Sequence, residues 1–149
     1  MHVLFFLGSC LALSAASQPS PEAQKELDRF EGTWQMVDGE KEGQKLAPEH
    51  IKAGKIRWHK GHVSVDTPHQ SNNTIEADPT VHPNQSPKQM DWVRSIGPGQ
   101  GQTFHAIYEW ISDDQYRVCF APPGHERPKE FATKPGSGQM LHVWKRVRP

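Results

Sequence analysis

The chain reads as an all-β protein: an antiparallel up-and-down barrel of about eight strands, entered through a short N-terminal helix. Three observations carry that expectation. Eight short segments rich in β-branched and aromatic residues alternate apolar with polar side chains. Turn residues separate them, as at Lys60-Gly61, Gly97-Pro98-Gly99 and Asp113-Asp114. No stretch is long enough to be a crossover helix, so neighbouring strands run antiparallel and the sheet closes on itself, which removes its edges.

The first element is a leader. Residues 1–17 read as a signal peptide: the apolar runs Val3 to Leu7 and Leu11 to Leu13 lead into the small residues Ser14, Ala15, Ala16 and Ser17. His2 is the one residue before the run that can carry positive charge. Leu7-Gly8-Ser9-Cys10 also resembles a lipobox, in which Cys10 would become a lipid anchor. The apolar stretch after Cys10, where a polar tether is expected, favours the signal peptide. Either route predicts export to a periplasmic, extracellular or cell-envelope location. No later stretch reaches the ~20 apolar residues of a transmembrane segment.

Residues 18–149 then form one domain, since a chain of 149 residues supports one core of ordinary size. Ser20-Pro21-Glu22 opens a helix, with Ser as cap, Pro at the first position and Glu at the positive end. Ala23, Leu27 and Phe30 recur at helical spacing and Gly32 can stop the turn, giving a helix over Glu22 to Phe30 that closes one end of the barrel. Leu46 to Gly54 carries a second, single-turn helix. The strands are expected over Thr33 to Lys41, Lys55 to His59, His62 to Thr67, Asn73 to Asp78, Gln89 to Ser95, Thr103 to Ile111, Tyr116 to Ala121 and Gln139 to Val147. Alternation is clearest late in the chain, where Phe104, Ala106, Tyr108 and Trp110 share one face and Tyr116, Val118 and Phe120 share another.

Charge narrows the partners. Seventeen basic residues balance seventeen acidic ones, so no basic excess attracts phosphates and nucleic acid is not an expected partner. Five Trp, six Phe and two Tyr supply large buried areas from few positions, enough for a small barrel core, and thirteen Pro with twelve Gly suit many turns.

Gly32-Thr33-Trp34, between the helix and the first strand, resembles the Gly-x-Trp signature of lipocalins and related calycins. The resemblance implies a basic side chain near the end of the last strand that packs across Trp34 and closes the base by a cation–π contact. Lys145 and Arg146 both qualify. A more specific likeness covers Lys25 to Val147. Glu31-Gly32-Thr33-Trp34-Gln35, Thr103-Phe104 with Ile107-Tyr108-Glu109, Val118-Cys119 with Ala121-Pro122-Pro123-Gly124, Glu126-Arg127-Pro128, Glu130-Phe131, and Lys134 to Gln139 occur in order. Together they resemble the planctomycetal lipocalin-like domain family of unknown function. That likeness implies an exported barrel and no activity. It departs over the Pro- and His-rich stretch Asn72 to Lys88.

Function is expected in the barrel interior or in one long loop. An eight-stranded barrel is either filled by side chains or just wide enough for a small ligand. If Trp58, Trp92 and Trp110 line a cavity with Tyr108 and Tyr116, they form an apolar pocket, with His105 or Arg57 fixing orientation. The leading expectation is therefore non-catalytic binding of a small, partly apolar molecule. The alternative is a filled barrel that binds a protein partner through residues 121–138, about 18 residues without regular structure. Pro122-Pro123-Gly124 and Lys134-Pro135-Gly136 each suit a type II turn there. The loop either covers one barrel mouth, presenting Glu126, Arg127, Lys129 and Glu130 to a partner, or is a strap over the barrel, anchored by Phe131 and pinned by an Arg127 to carboxylate pair.

Catalysis has little to rest on. Cys119 is the one cysteine after the leader and alternation puts it on the face opposite Val118 and Phe120, with His105 or His142 as distant candidates for a base. Histidines 50, 59, 62, 69, 82, 105, 125 and 142 are numerous but scattered, and His59 and His62, across the Lys60-Gly61 turn, lack the further ligands a zinc ion needs. No nucleophile-elbow, zinc-protease or phosphate-loop motif occurs, and no cofactor is expected.

Overall fold

The computed structural model describes residues 17–66 and 74–149. The leader residues 1–16, Cys10 among them, and Thr67, His69 and Asn73 lie outside the described residues. Helix α1 (Pro21–Phe30) starts one residue earlier than the sequence suggests, where the Ser20 hydroxyl accepts a hydrogen bond from the Ala23 N–H at 3.1 Å. There follow β1 (Gly32–Lys41), β2 (Gln44–Lys45), α2 (Pro48–Ala53), β3 (Lys55–His59) and β4 (His62–Asp66). The chain continues through β5 (Ile75–His82), β6 (Lys88–Ile96), β7 (Thr103–Ser112), β8 (Gln115–Phe120) and β9 (Met140–Arg146).

Strands pair antiparallel in the order β1-β3-β4-β5-β6-β7-β8-β9, and β9 returns to β1 from Trp34↔Arg146 to Lys41↔Met140. The result is the expected closed eight-stranded antiparallel barrel with its short N-terminal helix. Two elements differ from the sequence expectation. β2 is an extra two-residue strand that folds back on the end of β1, its turn made by Glu42 and Gly43 at φ 51° and 81°. β5 runs on through Pro79 to His82, where a proline argues against a strand. It is tolerated because β4 pairs with β5 only at Ile75 to Ala77, so beyond Ala77 one edge of β5 has no neighbouring strand to receive an N–H.

The two ends of the barrel are built differently. At the base, α1 presses Phe30 into the interior, where it stacks on Trp58 (ring centres 4.4 Å apart) and meets Tyr116 edge-on at 4.9 Å. Trp34 packs edge-on to Tyr116 at 4.8 Å and donates its indole N–H to the Phe30 carbonyl at 2.8 Å. Tyr108 completes the plug. These five side chains are at most 1 % exposed, so the lower half of the interior is solid. Glu26 of α1, also buried, takes hydrogen bonds from Lys88 on β6 and Trp110 on β7 and so ties the helix to the wall. At the opposite end α2 lies beside the opening, held by the Gln35 amide, which sits 3.0–3.1 Å from the carbonyls of Ile51, Lys52 and Gly54.

Candidate functional site

The upper half of the barrel encloses a chamber of about 370 Å³. Alternation along each strand decides what lines it: Met36 on β1, Trp92 and Arg94 on β6, Phe104 on β7, Phe120 on β8, and Met140, His142 and Trp144 on β9. Leu46, from the link between β2 and α2, and His50 and Ala53 of α2 close one side, and Val65 and Ile75 close another. The floor is the aromatic plug, with Trp92 edge-on to Trp58 at 5.8 Å and to Phe120 at 4.8 Å. Gly54 has to be small here, because a β-carbon would sit 2.9 Å from Met36.

The polar groups of this chamber are few. His142 sits edge-on to Trp144 at 5.8 Å and makes no hydrogen bond among the described residues. Burial pushes its imidazole down to about 4, so it is neutral near pH 7, with one N–H to donate and one lone pair to accept. Arg94 lays its guanidinium 4.1 Å from the centre of the Phe104 ring and donates to the Pro98 carbonyl in the β6–β7 turn. Burial lowers its affinity for its proton, yet no carboxylate pairs with it among the described residues. Lys41 stands exposed at the rim. Among the described residues no Asp or Glu lines the chamber.

Of the residues expected to form a ligand pocket, the structure brings only Trp92 to the chamber. Trp58, Tyr108 and Tyr116 are corrected to the plug, where Trp58 donates its indole N–H to the Tyr116 hydroxyl at 3.2 Å. Trp110 lies at the base under the Arg29 guanidinium, 3.9 Å from its ring centre. His105 points outward, because it alternates with Phe104 and Ala106, and bonds to Asp91 at 2.6 Å. Arg57 is likewise on the outer face. Arg94, Phe104, Phe120, His142 and Trp144 were missed as a set, although the two-residue spacing of Trp92 and Arg94 already puts them on one face.

Base closure falls to Arg146. Its guanidinium lies 4.2 Å from the Trp34 ring centre, while Lys145 faces solvent. Gly32 is at φ 122°, and a β-carbon there would come within 3.3 Å of that guanidinium, which accounts for the glycine of the Gly-x-Trp motif.

The long loop does not cover the mouth. It straps the outer wall of β6 to β8 and crosses to the β1–β2 turn. Arg127 donates to the Met90 and Ala106 carbonyls at 2.9 and 2.7 Å and pairs with Asp91 at 2.7 Å. Phe131 lies under the Arg117 guanidinium at 4.3 Å, and the Gly43 N–H donates to Thr133 at 2.7 Å. Glu126, Lys129 and Glu130 stay exposed. Asp91 also accepts from His82 at 3.1 Å. Burial raises its affinity for a proton, but hydrogen bonds from His105, Arg127 and His82 outweigh that and hold it below the usual carboxylate range.

Beneath the strap, Cys119 is fully buried on the outer face and points its thiol at the Ala132 carbonyl, 3.6 Å away. Burial pushes that thiol up to about 11, so it is not a nucleophile near neutral pH. His142 is on the inner face and His105 is bonded to Asp91, so neither is placed to activate Cys119. His59 and His62 bond separately, His59 to Glu31 at 2.7 Å and His62 to Asp78 and Glu76 at 2.8 and 3.1 Å. No group of three or more metal-ligating side chains is gathered among the described residues. No family model, curated protein or solved structure matches the chain.

Proposed function

We propose that the protein is an exported, non-catalytic binding protein that holds a small, partly apolar molecule in the upper half of its barrel. The observation that carries the reading is the chamber: aromatic and Met walls around about 370 Å³, with a neutral His142 that makes no hydrogen bond among the described residues. Ligand pockets commonly span roughly 300–1,000 Å³ and combine apolar walls with a few placed polar groups. An imidazole left without a partner in apolar surroundings costs free energy that a bound molecule can return. Export rests on the apolar leader of residues 1–17, and kinship with the planctomycetal lipocalin-like domain rests on the ordered sequence blocks.

The test is uptake of the neutral fluorescent probe N-phenyl-1-naphthylamine. Saturable one-to-one binding is expected, with quenching of Trp92 and Trp144 emission, and with affinity lost in Ala53→Trp, which fills the chamber without touching the plug. Absence of saturable uptake, or equal uptake by Ala53→Trp, would sink the reading.

A further inference from the structure

We infer that the molecule held in the chamber is an amphipathic organic carboxylate, its apolar body against Trp92, Phe120 and Trp144 and its carboxylate on the Arg94 guanidinium. The inference rests on the binding function proposed above and adds the charge and size of the ligand.

Charge is the first argument. Arg94 is half-buried on an apolar wall, and a guanidinium taken out of water is normally paired with a carboxylate. Elsewhere in this protein that rule is kept: Arg117 pairs with Glu109, Arg127 with Asp91, and Arg146 with Asp114. At Arg94 the described residues supply only a ring face and one backbone carbonyl. Neither neutralises the charge, and the remaining N–H groups are available for a planar, two-oxygen partner.

The lining argues in the same direction. Among the described residues it contains Arg94 and the rim residue Lys41 but no acidic side chain, so a cationic ligand would meet like charge and a neutral one would leave Arg94 unpaired. One inner cation beside a neutral His142 suits a single negative charge better than a dianion. Space sets the size. A chamber of about 370 Å³ lies at the lower end of the roughly 300–1,000 Å³ range of small-molecule pockets, which suits a ligand smaller than a typical drug.

Decanoate, decanol and decyltrimethylammonium, each displacing N-phenyl-1-naphthylamine at pH 7.5, test the inference. Decanoate is expected to bind about tenfold or more tightly than decanol, and the ammonium compound not to compete. Arg94→Gln should remove most of the preference for decanoate over decanol, and Arg94→Lys should restore part of it. Should Arg94→Gln not fold, the wild-type preference and its weakening by salt still decide the matter. Equal binding of decanoate and decanol, or a preference that survives Arg94→Gln in folded protein, overturns the carboxylate while the binding function stands. Failure of the neutral probe itself to bind overturns both.

Discussion

Arg146 covers Trp34 at 4.2 Å and, from the same guanidinium, donates to the carbonyls of Glu31 and Arg29 at 2.6 and 2.8 Å. One side chain from the last strand thus holds the first strand, the end of α1 and the base of the barrel together. Arg146→Ala is expected to lower unfolding free energy by about 2–4 kcal/mol, since it removes a cation–π contact and charge-assisted hydrogen bonds to two carbonyls, the one to Arg29 partly buried. Lys145→Ala, on the solvent face, should stay within about 0.5 kcal/mol of wild type. Urea unfolding of the two variants is the check. Equal effects would assign the closure wrongly.

The aromatic plug carries more of the stability than the chamber wall. Phe30→Ala empties a site that is fully enclosed by four aromatic neighbours and should cost about 3–5 kcal/mol. Met140→Ala, whose side chain already faces open space, should cost less than about 1.5 kcal/mol. The comparison is again a denaturant midpoint, and similar losses would mean that the two halves of the interior are equally packed.

The strap is pinned by Arg127, and Cys119 reports on it. Wild-type Cys119 should react with a disulfide reagent only on unfolding, being buried with its thiol pushed up to about 11. Arg127→Met removes the bonds to Met90, Ala106 and Asp91, and labelling under native conditions should then rise by at least about tenfold as the strap opens locally. Unchanged labelling in a folded Arg127→Met variant would show that Phe131 and Thr133 hold the strap alone.

His142 should write an acid limb on the stability curve. Its folded-state value, about 4, lies below the ordinary 6.5. Between those values the unfolded chain binds the extra proton, so stability is full above about pH 6.5 and falls as pH drops toward 4, by roughly 3 kcal/mol at most. His142→Gln should flatten this limb. Asp91, held low by His105, Arg127 and His82, acts in a separate window, losing its contribution only as pH falls below the usual carboxylate range. Urea midpoints between pH 4 and 7 for both proteins decide it, and parallel curves would refute the burial of His142.

Much of the barrel was legible because alternation is local. The Phe104 to Trp110 and Tyr116 to Phe120 faces emerge from spacing alone, and that same spacing excludes His105 from the interior. Even the filled end can be read: α1 leads directly into Gly32, which makes that end of β1 the base. Reversing direction strand by strand then puts Trp58, Trp110 and Tyr116 there too. Height along each strand, more than face, separates plug from chamber. What sequence withholds is long-range. Whether residues 121–138 cross the mouth or the wall depends on Arg127 reaching two carbonyls on β6 and β7, more than twenty residues away in the chain for either. Pro79 in a strand becomes acceptable only once the shortness of β4 is known.

The plug and the chamber share a barrel but few side chains, and that separation bears on how such a molecule can change. Substitutions around Arg94, Phe104 and Met140 reshape the chamber without touching the aromatic layer beneath it. A protein built this way can change the shape and polarity of its cavity by small steps, each of them leaving a molecule that still folds.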